Sequence, residues 1–518
     1  MTISKNYGTA LAQNQRVDFN QWCREETHRL EMIGFHADAA VDFSGAAPTP
    51  PGRGRLGIGM ECLDRDLWEY RPALPGLIEL GIRFARLQSG WAKTEKTPGV
   101  YDFVWLDEQV DALLAAGVEP WLSLSYGNPL YVEGAQERRA DGLAHNPLHS
   151  PRGLRGWCAY VQAAVEHFRD RIHCFEIWNE PDVSIFFPTA GGEGDWCRQY
   201  YDLVRHTVPI IRETAPAAQI VVVTGGGTGA NARGCARLLE LGIGALADVY
   251  AFHAYNYTPE RFDALSRNAF YNLFRRRAPG MKIWRGEAGI ASYHDEGTQE
   301  ALCDYPVNET IQLRWIGRHL IRDLGDPVLG LTSCFHLSDF LHFSGSCHYY
   351  FGMLRGGDCS RKPAFYLLQF LKRFLDDGAA VPDSSFYMEC GDVTRWTHRL
   401  PESLLFDVEV VPFRRNDAPV FAYWHRTSVR KEMAPAQVWE NSFTGVSDGR
   451  WLQPVVVDPC TRNVYSLSLR EGEERLRIPL LNRPLLLMEA EALEPYLRLA
   501  PPVQGRMLRA EAVQADHE

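Results

Sequence analysis

The sequence predicts an α/β protein, in which a (β/α)₈ TIM barrel is followed by a small antiparallel β-sandwich. Short apolar runs alternate with amphipathic segments eight times between residues 55 and 379. After about residue 380 this alternation stops, and short strand-like runs separated by turn residues follow. The chain of 518 residues is also too long for one ordinary core, so at least two domains are expected.

The barrel begins after a linker-like stretch at 46–54, which reads A-A-P-T-P-P-G-R-G. The predicted barrel strands are 55–60, 82–87, 118–125, 173–178, 219–224, 248–253, 282–285 extended to 287, and 330–336. The helices that follow them are predicted at 67–80, 106–116, 154–168, 200–214, 231–241, 259–275, 309–324 and 363–374. Eight strand–helix pairs favour a closed barrel over a doubly wound sheet, which usually has fewer.

Four segments are predicted in all. Residues 1–54 form an extension and linker, with a short helix near 20–32, that packs on the β-sandwich. Residues 55–379 form the barrel, 380–499 the β-sandwich and 500–518 a polar tail. The sandwich strands are predicted at 404–411, 420–424, 451–457 and 484–488.

Composition narrows the classes of partner. The net charge of −11 argues against a nucleic-acid-binding surface, and no apolar stretch is long enough to cross a membrane. The first residues lack a secretory signal, and the 12 cysteines include no C-x-x-C pair, so we expect a cytoplasmic protein with free thiols. A homo-oligomer is left open.

Two glutamates stand at the ends of predicted barrel strands. Glu180 lies in C-F-E-I-W-N-E-P-D at 174–182, where Pro181 stops regular pairing, and Glu287 lies in M-K-I-W-R-G-E-A-G at 281–289. The ends of strands four and seven can face each other across the central cleft. Two carboxyl groups across one pocket suit glycosidic cleavage, in which one is protonated and the other ionised.

With these motifs the chain resembles the clan A glycoside hydrolases, which are retaining (β/α)₈ enzymes. Within the clan it is most similar to family 39, which includes β-xylosidases and α-L-iduronidases. The stretch at 86–106, which begins R-L-Q-S-G-W-A-K-T-E, is similar to strand two of that family and the loop after it. The resemblance covers roughly residues 55–495 and implies that Glu180 is the acid/base and Glu287 the nucleophile.

Several neighbours are candidates for binding the substrate. The amide of Asn179 could hold the sugar 2-hydroxyl, and Arg86 at the end of strand two would keep Glu287 ionised. Strand six ends in H-A-Y, which contains His253 and Tyr255. The resemblance implies that Tyr255 hydrogen-bonds the nucleophile.

Further candidates come from other strand ends. Glu61 after strand one and Asn128 after strand three are candidate hydroxyl ligands, and Trp284 is a candidate sugar contact for which packing is the simpler interpretation. Strand eight departs from the clan, in which many members have a Trp there. It reads S-C-F-H-L-S-D-F and offers His336 and Asp339 instead.

Other patterns lack the context that their chemistry requires. The run T-G-G-G-T-G-A at 224–230 contains G-x-G-x-x-A, but Asp248 begins the next strand instead of ending it, so a dinucleotide site is not expected. The 16 histidines include no H-E-x-x-H, and we predict neither a metal nor a cofactor. Glu176, in the middle of strand four, is predicted to be a buried, paired carboxylate.

The function predicted from the sequence is that of a retaining glycoside hydrolase that removes a terminal sugar from an oligosaccharide or glycoside by double displacement. The cytoplasmic location favours this exo action on short substrates. Two alternatives stay open. One is an endo-acting polysaccharide hydrolase of the same clan, and the other is a non-catalytic carbohydrate-binding protein on a decayed barrel, whose two carboxyl groups would lie too far apart to cooperate.

Overall fold

The computed structural model describes residues 16–43, 54–132, 141–143, 145–189, 195–225, 232–253, 255, 258–261, 264–293, 307–340, 350–390, 408–444, 451–468, 476–494 and 496–498. The predicted tail at 500–518, most of the linker and the glycine run from 226 onward lie outside these residues. None of the helices in this part of the chain combines the length and apolar character that a membrane span requires.

The N-terminal segment contributes one helix and one strand, α1 (Phe19–Glu31) and β1 (Ala39–Val41). Asp18 caps α1 by accepting a hydrogen bond from the backbone N–H of Gln21. β1 belongs to a sheet separate from the barrel, in which it pairs antiparallel with the strands Asn463–Ser466 and Leu497–Arg498.

The next ten strands carry the predicted alternation. They are β2 (Leu56–Gly59), β3 (Phe84–Gln88), β4 (Glu95–Thr97), β5 (Val100–Tyr101), β6 (Glu119–Leu124), β7 (Cys174–Ile177), β8 (Gln219–Thr224), β9 (Val249–His253), β10 (Lys282–Ala288) and β11 (Leu329–Cys334). All except the β4–β5 hairpin close into one parallel barrel, in the order β2-β3-β6-β7-β8-β9-β10-β11. The eight predicted barrel strands are therefore confirmed.

The helices after α1 are α2 (Leu74–Leu80), α3 (Trp91–Thr94), α4 (Val104–Ala115), α5 (Pro151–Phe168), α6 (Trp196–Thr214), α7 (Ala232–Leu241), α8 (Ala264–Arg277), α9 (Glu309–Leu324) and α10 (Pro363–Phe374). α5 illustrates how they form: Ser150 caps its N-terminus, Pro151 occupies its first turn, and its apolar residues recur on one buried face. The helix predicted at 67–80 is shorter, because Pro72 confines residues 71–73 to a 3₁₀ turn before α2 begins.

The β-sandwich is built from the remaining strands: β12 (Ala380–Pro382), β13 (Tyr387–Cys390), β14 (Val408–Arg415), β15 (Ala418–His425), β16 (Ala436–Thr444), β17 (Pro454–Val457), β18 (Asn463–Ser466), β19 (Arg477–Leu480), β20 (Leu485–Glu489) and β21 (Leu497–Arg498). One sheet has the order β12-β14-β15-β20-β17-β18-β1-β21, and β13-β16-β19 form a second. The predicted β-sandwich is thus confirmed.

The large sheet packs on both of its faces. Phe421 and Tyr423 of β15 join the core between the two sheets, whereas Val420 and Trp424 join the core shared with the barrel. A strand that is buried on both faces reads as a continuous apolar run, which explains the P-V-F-A-Y-W stretch. The hairpin between β14 and β15 turns at Asn416 and Asp417. Both residues have positive φ, which two-residue hairpin turns of type I′ require.

A buried ion pair ties the barrel to the sandwich. Arg318 of α9 donates from Nε and Nη2 to the two carboxylate oxygens of Glu260, each over 2.6 Å, and both side chains are buried. Trp424 of β15 donates its indole N–H to Glu260 Oε1 over 2.8 Å. Arg318 Nη1 reaches the backbone oxygen of Thr427 at 2.7 Å. Because the pair is satisfied on both sides, removal of one partner would leave an uncompensated buried charge.

We therefore expect Arg318→Ala to lower the free energy of unfolding by about 3–5 kcal/mol, measured by urea denaturation. The matched control is Arg83→Ala, which breaks the exposed 2.9 Å pair with Glu119 and should cost less than about 1 kcal/mol. Equal effects of the two substitutions would contradict the structural role of the buried pair.

Candidate active site

The end of strand four has an unusual backbone that aims Glu180. β7 ends at Ile177, and both Trp178 (φ 69°) and Glu180 (φ 45°) adopt left-handed conformations. Such conformations cost about 1–3 kcal/mol each in non-glycine residues and persist where packing enforces them. Trp178 is fully buried, and a Cβ on Gly225 would lie 3.0 Å from the side chain of Glu180. Packing on both sides therefore holds Glu180 in place.

The structure brings Glu180 and Glu287 together. Glu287 lies within β10, opposite His253 at the end of β9 in the strand register. One carboxyl oxygen of Glu180, one of Glu287 and one ring nitrogen of His253 all lie within 4.8 Å of one another. Paired carboxyl groups about 5–5.5 Å apart are typical of retaining glycosidases, whereas inverting enzymes separate them by about 6.5–9.5 Å.

The surroundings of Glu287 favour its ionised form. Arg86 Nη1 donates to Oε1, and the hydroxyl of Tyr255 donates to Oε2 over 2.6 Å. Burial alone would raise the pKa of Glu287, but the positive charges of His253 and Arg86 and the hydrogen bonds from Tyr255 and Arg86 outweigh it and lower the pKa. The surroundings of Glu287 thus keep its side chain in the carboxylate form.

The surroundings of Glu180 have the opposite effect. Burial raises its pKa, and the negative charge of Glu287 adds to the increase. The hydrogen bond from His253 Nδ1 to Glu180 Oε1, over 2.7 Å, lowers the pKa without cancelling this rise. The pKa of Glu180 is therefore raised and that of Glu287 lowered. These are the directions that a proton donor and a nucleophile require.

His253 lowers the pKa of both carboxyl groups. Replacing it by asparagine removes its charge but keeps an N–H donor near the position of Nδ1. The pKa values of Glu287 and Glu180 should then both rise. If catalysis requires Glu287 ionised and Glu180 protonated, these two pKa values set the acid and the alkaline limb of the pH profile. We expect the whole pH profile of kcat/KM to move to higher pH. Movement of one limb alone, or of the two in opposite directions, would contradict this shared influence.

Arg86 is the centre of the polar network. It is fully buried and donates to Glu176 from Nε and Nη2, to Glu61 from Nη1 over 2.8 Å, and to Asn179 Oδ1 over 2.8 Å. Glu176 is therefore the buried, paired carboxylate that the sequence predicted.

Asn179 bridges Arg86 to a residue that the sequence analysis missed. Its amide nitrogen donates to the hydroxyl of Tyr126 over 2.8 Å, and the same hydroxyl is 3.1 Å from Gln88 Nε2. Tyr126 is buried and follows strand three. The rule that singled out Glu180, a polar group directly after a barrel strand, could have found it.

Two candidates at strand eight have partners of their own. Asp339 pairs with Lys362 over 2.6 Å and accepts from the backbone N–H of Gly352, while burial raises its pKa to about 6. His336 is buried against the edge of Trp68, and burial lowers its pKa to about 4, so the imidazole is neutral.

Two other candidates make their contacts away from the carboxyl pair. The amide of Asn128 donates to the backbone oxygens of Trp91 and Glu95 and accepts from the N–H of Leu130, so it organises the loop after strand three. Trp284 packs inside the barrel against Trp121, with ring centroids 5.2 Å apart. Contact of Asn128 or Trp284 with the substrate stays a prediction.

Glu180, Glu287 and His253 are also the group of described side chains that could bind a metal ion, since their ligand atoms lie within 4.8 Å of one another. In this arrangement both oxygens of Glu287 already accept hydrogen bonds, one of them from the cation of Arg86. Because an arginine cannot give up its charge, it would compete with a metal at this carboxylate.

No family model matches the sequence. The β-galactosidase BgaA of Clostridium cellulovorans is 28% identical over 147 residues, which are 25% of this chain and 22% of that protein. The chain thus matches less than a quarter of the length of this curated relative.

Two solved structures extend over most of the chain. A family 39 glycoside hydrolase from Bacteroides cellulosilyticus WH2 has a TM-score of 0.59 at 15% identity, over 84% of this chain and 81% of that one. A monomeric β-xylosidase from Caulobacter crescentus CB15 has a TM-score of 0.53 at 17% identity, over 87% and 97%. At identities of 15% and 17%, the likeness shows that the folds are similar, and it does not by itself show a shared activity. The predicted resemblance is confirmed at the level of the fold, which the chain shares with a family 39 glycoside hydrolase and a β-xylosidase.

Proposed function

We propose that this protein is a retaining glycoside hydrolase. The observation that carries the proposal is a pair of carboxyl groups with one oxygen of each within 4.8 Å of the other, whose pKa values are moved in opposite directions by their surroundings. Such a short approach of two carboxyl oxygens supports the retaining arrangement over the wider inverting one. A non-catalytic binding protein on a decayed barrel would have no need to keep one carboxyl protonated beside an ionised one.

In the proposed reaction Glu287 attacks the anomeric carbon while Glu180 gives its proton to the leaving glycosidic oxygen. A covalent glycosyl-enzyme forms and the leaving group departs as an alcohol. Glu180, now ionised, takes a proton from water, which attacks the same carbon and releases Glu287. Each step moves one proton through Glu180, so the enzyme returns to its starting state.

The neighbouring side chains have roles that fit this sequence of steps. Arg86 and Tyr255 hold Glu287 ionised and fix the direction of its oxygens. Asn179, held by Arg86 and Tyr126, is the proposed contact for the sugar 2-hydroxyl, which strengthens as the ring approaches an oxocarbenium ion. A similar fold in a β-xylosidase and partial sequence identity with a β-galactosidase support a β-linked terminal sugar as the substrate.

A panel of aryl β-glycosides assayed with the purified protein tests the proposal. We expect hydrolysis of at least one pentoside or hexoside, and NMR of the first sugar released should show retained configuration at the anomeric carbon. An inverted product would overturn the retaining mechanism. Sugar binding without turnover would favour the non-catalytic alternative, and cleavage inside polysaccharides with no release of terminal sugars would favour the endo-acting one.

A further inference from the structure

Glu61 presents a third carboxyl group to the cation that serves the proposed nucleophile. It lies two residues beyond β2 and is 1% exposed. Its Oε1 accepts from Arg86 Nη1 over 2.8 Å, and the same nitrogen donates to Glu287 Oε1. The Nη1 amino group of Arg86 thus lies between carboxyl groups from strands one and seven.

The charges around Arg86 do not support three ionised carboxylates. Arg86 already binds Glu176 through Nε and Nη2, and Glu287 through Nη1. His253 supplies another positive charge that stabilises ionised Glu287. An ionised Glu61 would add a negative charge that no further cation of this network balances, at a site sealed from water.

Apart from Arg65, the other titratable groups around Glu61 in the described part of the chain are neutral. Burial lowers the pKa of His336 to about 4, raises that of the Cys62 thiol to about 12, and raises that of Tyr255 well above its usual value. Arg65, the cation on the same loop, is engaged by Asp64 and Gln88. None of these groups brings a positive charge to Glu61.

The second oxygen of Glu61 adds an independent observation. Oε2 is buried and has no hydrogen-bond partner among the described residues. It lies beside Gly59, where a Cβ would be 2.3 Å away, and His336 Nε2 is 3.7 Å from it. An ionised oxygen left without donors in such a place is costly, whereas a hydroxyl there adds no charge.

We propose that Glu61 is a protonated positioning residue: as a neutral acid it accepts the N–H of Arg86 and orients the guanidinium toward Glu287 without placing a further negative charge beside the nucleophile. Burial, opposed by Arg86 and assisted by Glu287, raises the pKa of Glu61 to about 7, in agreement with this state. The inference rests on the proposed function for its catalytic consequence, but the protonation of Glu61 does not depend on it.

Kinetics of two variants test the positioning role. Glu61→Ala removes the acceptor from Arg86 and should lower kcat by about 10–100-fold, with a smaller change in KM. Glu61→Gln keeps a carbonyl oxygen at that position and should recover most of the loss.

The acid limb of kcat/KM, set by Glu287, should lie at the same pH in Glu61→Gln and wild type, because no charge has been removed. If Glu61 is ionised, the Gln variant loses a negative charge near Glu287, and the limb moves to lower pH by about one unit.

Infrared spectroscopy provides a readout that requires no substrate. The C=O stretching band of a buried, protonated carboxylic acid should be present in wild type near neutral pH, disappear as the pH rises, and be absent from Glu61→Gln. Glu180→Gln identifies the separate band of Glu180. A band unchanged by Glu61→Gln, or a Gln variant no more active than Ala, would overturn the proposal. Failure of wild type to hydrolyse any glycoside would instead count against the proposed function and leave the infrared result to decide on Glu61.

Discussion

Glu287→Ala is expected to reduce the hydrolysis of an activated aryl glycoside by roughly 10⁴-fold or more, because in the proposed reaction it removes the oxygen that bonds to the anomeric carbon. At about 1.4 kcal/mol for each factor of ten, this corresponds to about 5–6 kcal/mol of lost transition-state stabilisation. The effect should appear in kcat, since the carboxylate forms its bond to carbon in the transition state and not in the bound ground state.

A small anion can replace the missing carboxylate. Azide bound in the space left by Glu287→Ala should restore turnover and give a glycosyl azide of inverted configuration, because the product then forms in a single displacement. The control is Glu119→Ala, which removes an exposed glutamate at the N-terminal end of β6. This variant should retain wild-type activity. Activity of Glu287→Ala within tenfold of wild type would exclude this residue as the nucleophile.

Glu180→Ala is expected to show a loss that depends on the leaving group. General acid catalysis contributes about 10²–10⁴-fold, so the first step should slow by that amount for poor leaving groups such as alkyl alcohols. Dinitrophenol departs without a proton, so for its glycosides the first step should be nearly unaffected. The alkaline limb of kcat/KM, which reports the deprotonation of Glu180, should disappear.

Azide distinguishes this variant from the first. In Glu180→Ala the covalent intermediate still forms on Glu287, and azide then attacks it in place of water. Two displacements yield a glycosyl azide of retained configuration, opposite to that from Glu287→Ala. Equal losses for all leaving groups, or an inverted azide product, would contradict the role of Glu180 as the acid/base.

Local sequence patterns were sufficient for the barrel and for the positions of its two glutamates. The buried parallel strands read as apolar runs. α9 and α10 have the predicted bounds because their start signals, the cap Asn308 and the first-turn Pro363, and their apolar residues are local in the sequence. The sandwich was predicted less completely. The strands predicted for it did not include β12, β13, β16, β18, β19 and β21, since short antiparallel strands depend on partners that are distant in the chain.

The sequence by itself determined that Glu180 and Glu287 lie near the ends of strands four and seven of a parallel barrel, because strand order and approximate strand ends follow from local hydrophobic periodicity. It could not determine which side chains share a hydrogen bond. That Arg86 serves Glu61, Glu176 and Glu287 together, and that Tyr126 holds Asn179, depends on contacts across as many as 201 residues. Only the tertiary structure decides these contacts, because the closure of the barrel sets the distances and the burial that separate the pKa values of the two glutamates.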